Sequence, residues 1–113
     1  MAVVKELPPR RGDIHLVALD PTRGSEIQKT RPCLVVSPDE LNLHLKTVIV
    51  APLTTASHSY PFRVPCQFES KRGQVVLDQL RTVDRERLIR RLGKLSAPTF
   101  EKVLSLLREM FAP

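Results

Sequence analysis

The sequence is poor in cysteine, glycine and aromatic residues, and it contains no long apolar run. Two cysteines, Cys33 and Cys66, are too few for a disulfide framework and are predicted to stay reduced. The longest apolar runs, such as residues 48–53, are far too short to cross a bilayer. The N-terminus lacks an apolar stretch with a cleavage site, so we expect no signal peptide. These absences together predict a cytoplasmic protein with no membrane partner.

The signatures of metal and cofactor sites are also absent. His15, His44 and His58 lie far apart, and neither cysteine has a partner at the short spacing of zinc sites. No G-x-S-x-G motif marks a nucleophile, and the four glycines are scattered singly instead of forming a phosphate-binding loop. The sequence therefore predicts neither a metal site nor a nucleotide cofactor.

Positive charge is what the sequence has in excess. Lysine and arginine total 18 against 12 aspartates and glutamates, which gives a net charge of +6 and a pI near 9.9. A field of this sign attracts polyanions, so the expected partner is a nucleic acid or an acidic protein. Composition alone leaves both partners open.

The 113-residue chain is long enough for one domain with its own core. We interpret residues 1–11 as a basic lead and 12–113 as a single domain. β-branched and aliphatic patterns predict strands over residues 13–19, 32–37, 47–55, 60–68, 74–83 and 92–96. Pro52 suggests a bulge or an early end of pairing, and two further prolines place 60–68 at a sheet edge. Residues 71–73, K-R-G, are predicted to form a turn.

Two helical segments are also predicted. Asp39 and Glu40 occupy the first turn of a short one. For a C-terminal helix, Ser96 can cap the start and Pro98 falls in the first turn. An apolar stripe expected to pack on the sheet contains Phe100, Val103, Leu104, Leu107, Met110 and Phe111. The predicted fold is mainly β (α+β), a twisted antiparallel sheet or small barrel with one C-terminal helix.

Polar residues at the ends of the predicted strands are the candidates for chemistry. Arg31 precedes one strand, Thr54 and Thr55 end another, and Asp78 and Gln79 interrupt a third. Phosphoryl transfer needs a cation at the developing charge, a hydroxyl or amide donor and a proton acceptor. Arg31 suits the first role, Thr54 the second, and Glu26 the third.

Each of these residues also has a structural interpretation. Arg31 alone suits a surface cation, and Glu26 alone a solvated loop carboxylate. Thr54 and Thr55 suit the end of a strand, and Asp78 suits the capping of backbone donors at a bend. The basic run at 81–91 suits a solvated face with internal ion pairs.

The order of the motifs, however, resembles the MazF/PemK toxins. The pieces are "GDIHLVALDPTRGSEIQKTRPCLVVSP", "VIVAPLTTASHSYPFRV" and "GQVVLDQLRTVDRERLIRRLGKLS", covering residues 11 to 111. Family members are homodimeric, metal-independent and ribosome-independent endoribonucleases with an SH3-like barrel. They cut single-stranded RNA such as mRNA, leaving a 2′,3′-cyclic phosphate and a 5′-hydroxyl, and each is restrained by a cognate antitoxin.

The resemblance implies roles for individual residues. Arg31 of the R-P motif and Thr54 of the P-x-T-T motif match the family's catalytic pair, and Glu26 matches the glutamate of G-S-E. Residues 20–30 match a loop that shapes RNA access. Seven residues in this loop, the 55–60 turn and the D-Q motif are expected to contact RNA: Thr22, Lys29, Thr55, Ser57, His58, Asp78 and Gln79.

Two other functions remain open at this point. One is a toxin of the same fold that binds and poisons a topoisomerase. The other is a basic barrel that binds RNA without cutting it, which the five aromatic residues make a poor fit. Glu26 is the candidate proton acceptor, whereas neither the cleavage sequence nor the proton donor is predicted.

Overall fold

The computed structural model describes residues 7–20, 23–26, 29–55 and 60–113. Seven β-strands and two α-helices lie in these ranges, with two short 3-10 turns at Leu77–Gln79 and Arg85–Arg87. In chain order the elements are β1 Asp13–Ala18, β2 Thr30–Val35, α1 Asp39–His44, β3 Thr47–Thr54, β4 Arg63–Phe68, β5 Lys71–Val76, β6 Arg81–Asp84, β7 Leu88–Lys94 and α2 Ala97–Phe111. No helix in the described part of the chain has the length and apolar character needed to span a bilayer.

The strands form one curled antiparallel sheet in the order β4-β5-β3-β2-β1-β7, and β6 pairs with β3 outside this path. β3 changes neighbours along its length, pairing with β6 over residues 47–50 and with β5 at Leu53 and Thr54. Pro52, which has no N–H to donate, lies between these two segments and stays paired with Cys33 of β2. The predicted interruption at Pro52 therefore affects only one edge of the strand.

Two clusters of buried side chains occupy the two faces of the curled sheet. One contains Val17, Cys33, Val35 and Val50 and their neighbours, drawn from β1, β2, β3 and β6. The other joins Ile14, Leu34 and Ala51 to the β4–β5 hairpin and to α2. The half-barrel and the C-terminal helix agree with the predicted fold class.

Helix α2 packs on the sheet largely as the apolar stripe predicts. Val103 is fully buried, and Phe100, Leu107 and Met110 pack against the same cluster. Phe111 is an exception, since 74% of it is exposed. Ser96 occupies the N-cap position, but its hydroxyl binds the Thr99 hydroxyl at 2.9 Å instead of capping a backbone N–H.

The predicted turn at residues 71–73 is wrong, because these residues open β5. The reversal occurs at Glu69 and Ser70, which adopt left-handed φ values of 52° and 61°. Gly73 is therefore not a turn glycine. A Cβ placed there would lie 2.6 Å from the carbonyl oxygen of Thr54. The glycine allows β5 to approach the end of β3.

Three other predictions about the second half of the chain also need correction. The single strand predicted over residues 74–83 is two strands, β5 and β6, separated by the 3-10 turn at Leu77–Gln79. This bend lets both strands pair with the same edge of β3. The last strand begins earlier than predicted, at Leu88, and no ion pair in the described chain joins two members of the 81–91 run.

Candidate functional site

Arg31 and Thr54 are brought together by the pairing of β2 with β3. Cys33 lies opposite Pro52, and continuing this antiparallel register by two residues places Arg31 opposite Thr54. Both residues line one pocket of about 340 Å³, here called the Arg31 pocket. Two residues 23 positions apart in sequence are thus neighbours because two adjacent strands run in opposite directions.

The Arg31 side chain is available to bind an external group. Arg31 is exposed, and its guanidinium has no hydrogen bond or ion pair with any described residue. A guanidinium keeps its charge at all physiological pH values and can grip a phosphate with two parallel N–H donors. Thr54 beside it is half-buried and brings a hydroxyl group to the same pocket.

The remaining wall of the Arg31 pocket comes from the β4–β5 hairpin. Phe68, Glu69, Lys71 and Arg72 line it together with Cys66 and Gly73. The lining therefore carries three basic side chains and one acidic one, which gives a positive field suited to a polyanion. The sequence prediction missed these residues because it assigned K-R-G to a solvent turn. The two adjacent basic residues were the available signal.

The thiols near the site are unsuited to nucleophilic attack. Burial raises the pKa of Cys33 to about 12, and the nearby charges of Arg81 and Arg31 only partly oppose that shift. Burial also raises the pKa of Cys66, which lines the Arg31 pocket. Because the thiolate is the reactive form of cysteine, both residues are inert at neutral pH.

Glu26 lies in a different pocket from Arg31 and Thr54. It lines a smaller cavity of about 210 Å³ with Pro52, Asp78 and Gln79, here called the Glu26 pocket. Its carboxylate accepts a hydrogen bond of 2.8 Å from the backbone N–H of Arg23. The two pockets adjoin along β3, since Pro52 is two residues before Thr54 on that strand.

Asp78 is engaged with an arginine. The Arg63 guanidinium donates to both of its carboxylate oxygens, at 3.0 and 3.2 Å. These bonds lower the pKa of Asp78. Arg63 also lies 4.6 Å from the ring centroid of Tyr60, a cation–π contact. The ion pair therefore holds Arg63 at Asp78, which lines the Glu26 pocket together with Gln79.

The base of the 20–30 loop is tied by hydrogen bonds. The N–H of Lys29 donates to Asp20 Oδ1 at 3.0 Å, and the N–H of Leu19 donates to the Lys29 carbonyl at 2.9 Å. Arg81 donates to the carbonyl of Leu19, and Arg87 donates to those of Ala18 and Asp20. Two arginines of the basic run at 81–91 thus hydrogen-bond to the backbone at the loop base, so the run is more than a solvated face.

The other predicted contact residues are distributed as follows. Thr55 is exposed and lines the Arg31 pocket, directly after Thr54. Lys29 is exposed at the loop base with a left-handed φ of 66°. Thr22, Ser57 and His58 lie outside the described residues. Two pockets joined along β3 thus hold all the described members of the predicted site except Lys29.

The chain matches a known protein family along most of its length. The family described as "PemK-like, MazF-like toxin of type II toxin-antitoxin system" matches residues 10–111. A curated relative, "Endoribonuclease MazF" of Staphylococcus epidermidis, is 34% identical over 93 residues, which cover 77% of this chain and 78% of that protein.

Solved structures of similar proteins have the same fold. The crystal structure of MazF from Deinococcus radiodurans matches with a TM-score of 0.82 and 27% identity, covering 93% of this chain and 97% of that one. An endoribonuclease in complex with its cognate antitoxin, from a mycobacterial species, matches with a TM-score of 0.78 and 25% identity over the same shares. The resemblance noted in the sequence is confirmed: this chain belongs to the PemK-like, MazF-like toxins of type II toxin–antitoxin systems.

Proposed function

We propose that this toxin is an endoribonuclease that cuts single-stranded RNA at a phosphate bound by Arg31 and Thr54. The observation that carries the proposal is their meeting on adjacent strands in one basic pocket. An exposed guanidinium that has no partner among the described residues and a neighbouring hydroxyl are groups that can stabilise charge on a phosphorane. The family membership and the name of the staphylococcal relative support the same activity.

The proposed reaction is a transfer within the RNA itself. The 2′-hydroxyl attacks the adjacent phosphorus, loses its proton and forms a new P–O bond. The bond to the 5′-oxygen of the next nucleotide breaks, and that oxygen takes a proton. The products are a 2′,3′-cyclic phosphate and a 5′-hydroxyl end. Because the substrate supplies the nucleophile, the chain needs no nucleophilic side chain and no metal-bound water.

Glu26 is the proposed proton acceptor. Its carboxylate is exposed and lies in the pocket that adjoins the Arg31 pocket along β3. To reach a 2′-hydroxyl held by Arg31, it has to exchange its bond to the Arg23 N–H for one to the substrate. The RNA contacts of Thr22, Lys29, Thr55, Ser57, His58, Asp78 and Gln79 belong to the same proposal, and they would set the sequence preference.

The proposal extends to the partners of the toxin. A cognate antitoxin would inhibit it, as the mycobacterial relative was solved with its own antitoxin and Deinococcus radiodurans MazF with MazE. We expect the active form to be a homodimer in the cytoplasm, as the family resemblance implies. A basic cleft is well matched to an acidic antitoxin segment, because such a segment imitates the charge of RNA.

RNA cleavage in EDTA tests the function. We expect wild-type protein to cut a long single-stranded RNA in EDTA. The new 5′ ends should carry a hydroxyl, so a ligase that requires a 5′-phosphate should not join them. Arg31→Ala should lose at least about 100-fold in rate, because it removes the charge that faces the developing phosphorane. Arg108→Ala, which changes an exposed arginine of α2, is the matched control.

Two further results decide the finer points. Cleavage by Glu26→Gln at the wild-type rate would remove Glu26 from the mechanism while leaving the nuclease assignment intact. Complete absence of RNA cleavage, together with inhibition of a purified topoisomerase, would overturn the proposal in favour of the alternative toxin class.

A further inference from the structure

A second basic pocket lies between β1, β7 and the segment before β1, at the other end of the strand order from β4. Its volume is about 590 Å³. Asp13 and His15 of β1 line it, together with residues 7–10, Arg85 and residues 88–91. None of these residues lines the Arg31 pocket or the Glu26 pocket. We call it the His15 pocket.

His15 is the unusual member of this pocket. Both nitrogens of its imidazole ring are buried, and neither has a hydrogen-bond partner among the described residues. The nearest carboxylate oxygen, Asp13 Oδ2, is 4.0 Å from Nε2, which is too long for a hydrogen bond. Leaving a buried polar atom unpaired costs free energy, so such atoms usually have a partner.

The protonation state of His15 determines whether a partner of its ring nitrogens donates or accepts a hydrogen bond. Burial lowers the pKa of His15, and Arg91 lowers it further, while the attraction of Asp13 only partly opposes the shift. The ring is therefore neutral at pH 7 and presents one N–H donor and one nitrogen acceptor. A group that accepts a hydrogen bond inside this pocket satisfies the donor once the ring turns toward it, since neither nitrogen is open to solvent in this conformation.

The charges around His15 favour an anion. Four arginines and one aspartate line the pocket. Asp13 is already paired with Arg91, at 3.2 and 3.3 Å. Arg90 is exposed, and its guanidinium has no hydrogen bond or ion pair with the described residues. Arg85 makes one contact, of 3.5 Å, to the carbonyl of Asn42. Two cations are thus left for a ligand.

An apolar surface lies beside these cations. Leu88 packs against the interior cluster, while Ile89 is 55% exposed and Leu7 is 89% exposed. Pro8 lies beside Leu7 in the same lining. A pocket of this volume with apolar walls and a few convergent polar groups is typical of small-ligand sites. The combination suits a ligand with one anionic end and one flat or apolar end.

We propose that the His15 pocket binds a nucleotide unit, with its phosphate held by Arg85 and Arg90 and hydrogen-bonded by His15, and its base against Leu88 and Ile89. The source of the nucleotide is either the free mononucleotide pool or a distant part of a bound RNA strand, because both present the same chemistry. The site is separate from the Arg31 pocket and does not depend on the proposed cleavage activity.

The backbone beside the pocket argues against an extended peptide as the occupant. β7 pairs with β1 through two register shifts, one between Ile14 and His15 and one between Leu16 and Val17. An irregular, arginine-rich edge strand is a poor template for an added peptide strand. The compact ligand therefore fits this edge better than an acidic segment does.

Imidazole NMR of the full-length protein is the direct test. The chain has three histidines, so ¹⁵N-labelled His15 can be assigned with His44→Gln and His58→Gln variants. Four ligands are titrated: inorganic phosphate, uridine 5′-monophosphate, an RNA octamer methylated at every 2′-oxygen so that it cannot be cut, and a glutamate-rich peptide. We expect saturable shifts of the His15 ring nitrogens with the mononucleotide or the octamer.

Matched charge variants locate the ligand. Arg90→Gln should weaken the affinity measured at His15 by about tenfold or more, since a charge-assisted hydrogen bond is lost. Arg108→Gln, which neutralises an equally exposed arginine on α2, should leave it unchanged. Arg31→Ala should also leave the mononucleotide affinity unchanged, which separates this site from the cleavage site.

Each outcome decides the proposal. Binding of the mononucleotide identifies a free-nucleotide site, and binding of the octamer alone identifies a site for the RNA strand. Unchanged His15 resonances at saturating phosphate, mononucleotide and octamer would overturn the proposal. Equal losses of ligand affinity in Arg90→Gln and Arg108→Gln would also overturn it. A shift of the His15 resonances with a glutamate-rich peptide alone would overturn it as well and would point to a protein partner.

Discussion

Arg31 and Thr54 share a pocket but contribute different chemistry. The guanidinium supplies a permanent charge, whereas the hydroxyl supplies a single directed hydrogen bond. A guanidinium has no acceptor atom and a threonine hydroxyl is not basic, so neither group is a natural proton acceptor. The pair therefore acts, in the proposed reaction, by stabilising charge on the phosphate.

Replacing Thr54 by valine isolates the contribution of the hydroxyl. The two side chains have nearly the same shape, so the variant removes a hydrogen-bond donor with little change in packing. Loss of one donor to a transition-state oxyanion lowers kcat by about 100- to 1000-fold. We expect that loss in single-turnover cleavage of a short RNA, with binding affinity nearly unchanged.

Thr82→Val provides the control, since Thr82 is an exposed threonine on β6 away from both site pockets. If Thr54→Val and Thr82→Val cut RNA equally fast, the hydroxyl of Thr54 has no part in the reaction.

At the residue scale, the sequence predicted some contacts and missed others. Arg31 and Thr54 could be paired because both stand at the ends of apolar strands, and adjacent antiparallel strands bring opposite ends together. Lys71 and Arg72 could not be assigned, because their place depends on where the hairpin reverses. Glu26 lies in a loop, and loop residues show no apolar periodicity. The sequence therefore could not predict that Glu26 and Arg31 line different pockets.

Among the elements of the fold, the β4–β5 hairpin does most to shape the Arg31 pocket. Its approach to β3 depends on Gly73, where any Cβ meets the carbonyl oxygen of Thr54. That atom belongs to the backbone and cannot rotate away as a side chain can. The hairpin and Thr54 are thus held in one arrangement by a close backbone contact.

Gly73→Ala tests this contact. The added methyl should push β5 away from β3, destabilise the fold by about 1–3 kcal/mol and reduce cleavage at the same time. Thermal unfolding and the cleavage rate are the two measurements.

Ser70→Ala, at the exposed turn of the same hairpin, should change neither quantity much. An unchanged melting temperature and rate in Gly73→Ala would show that β5 can shift without disturbing Thr54.

The strands were easier to predict than the turns that join them. β1, β2 and β3 follow from runs of β-branched and aliphatic residues, which are visible in the local sequence. The reversal at Glu69–Ser70 has no glycine, although both residues are left-handed, so the usual turn signal points four residues too late. The break at Leu77–Gln79 did leave a signal, since Asp78 and Gln79 interrupt the apolar run, but buried Leu77 continues the pattern of β5 and favoured a single strand.

At the scale of the whole molecule, the net charge of +6 and the basic pocket imply binding dominated by phosphate contacts. Arg31, Lys71 and Arg72 all line the Arg31 pocket. Each neutralised phosphate of a single strand releases counterions, so affinity falls as salt rises. Few aromatic side chains are present to replace this electrostatic contribution with base stacking.

Salt dependence of RNA binding measures this contribution. For three phosphate contacts, the logarithm of affinity for a 2′-methylated RNA should fall with the logarithm of salt with a slope of about −2. Lys71→Gln should make that slope shallower by about 0.7.

Lys102→Gln on α2 should leave the slope as in the wild type, since Lys102 is exposed and lines neither site pocket. A salt-independent affinity would contradict an electrostatic cleft.

The change of neighbours along β3 has a practical consequence for blocking the toxin. β3 pairs with both parts of the sheet and ends in Thr54. A molecule that separates the β4–β5 hairpin from β3 would therefore displace the Thr54 hydroxyl without occupying the Arg31 pocket. Inhibitors that bind between the β4–β5 hairpin and β3 would not have to imitate a polyanion. They could therefore be uncharged compounds, which cross cell envelopes more readily than nucleotide analogues do.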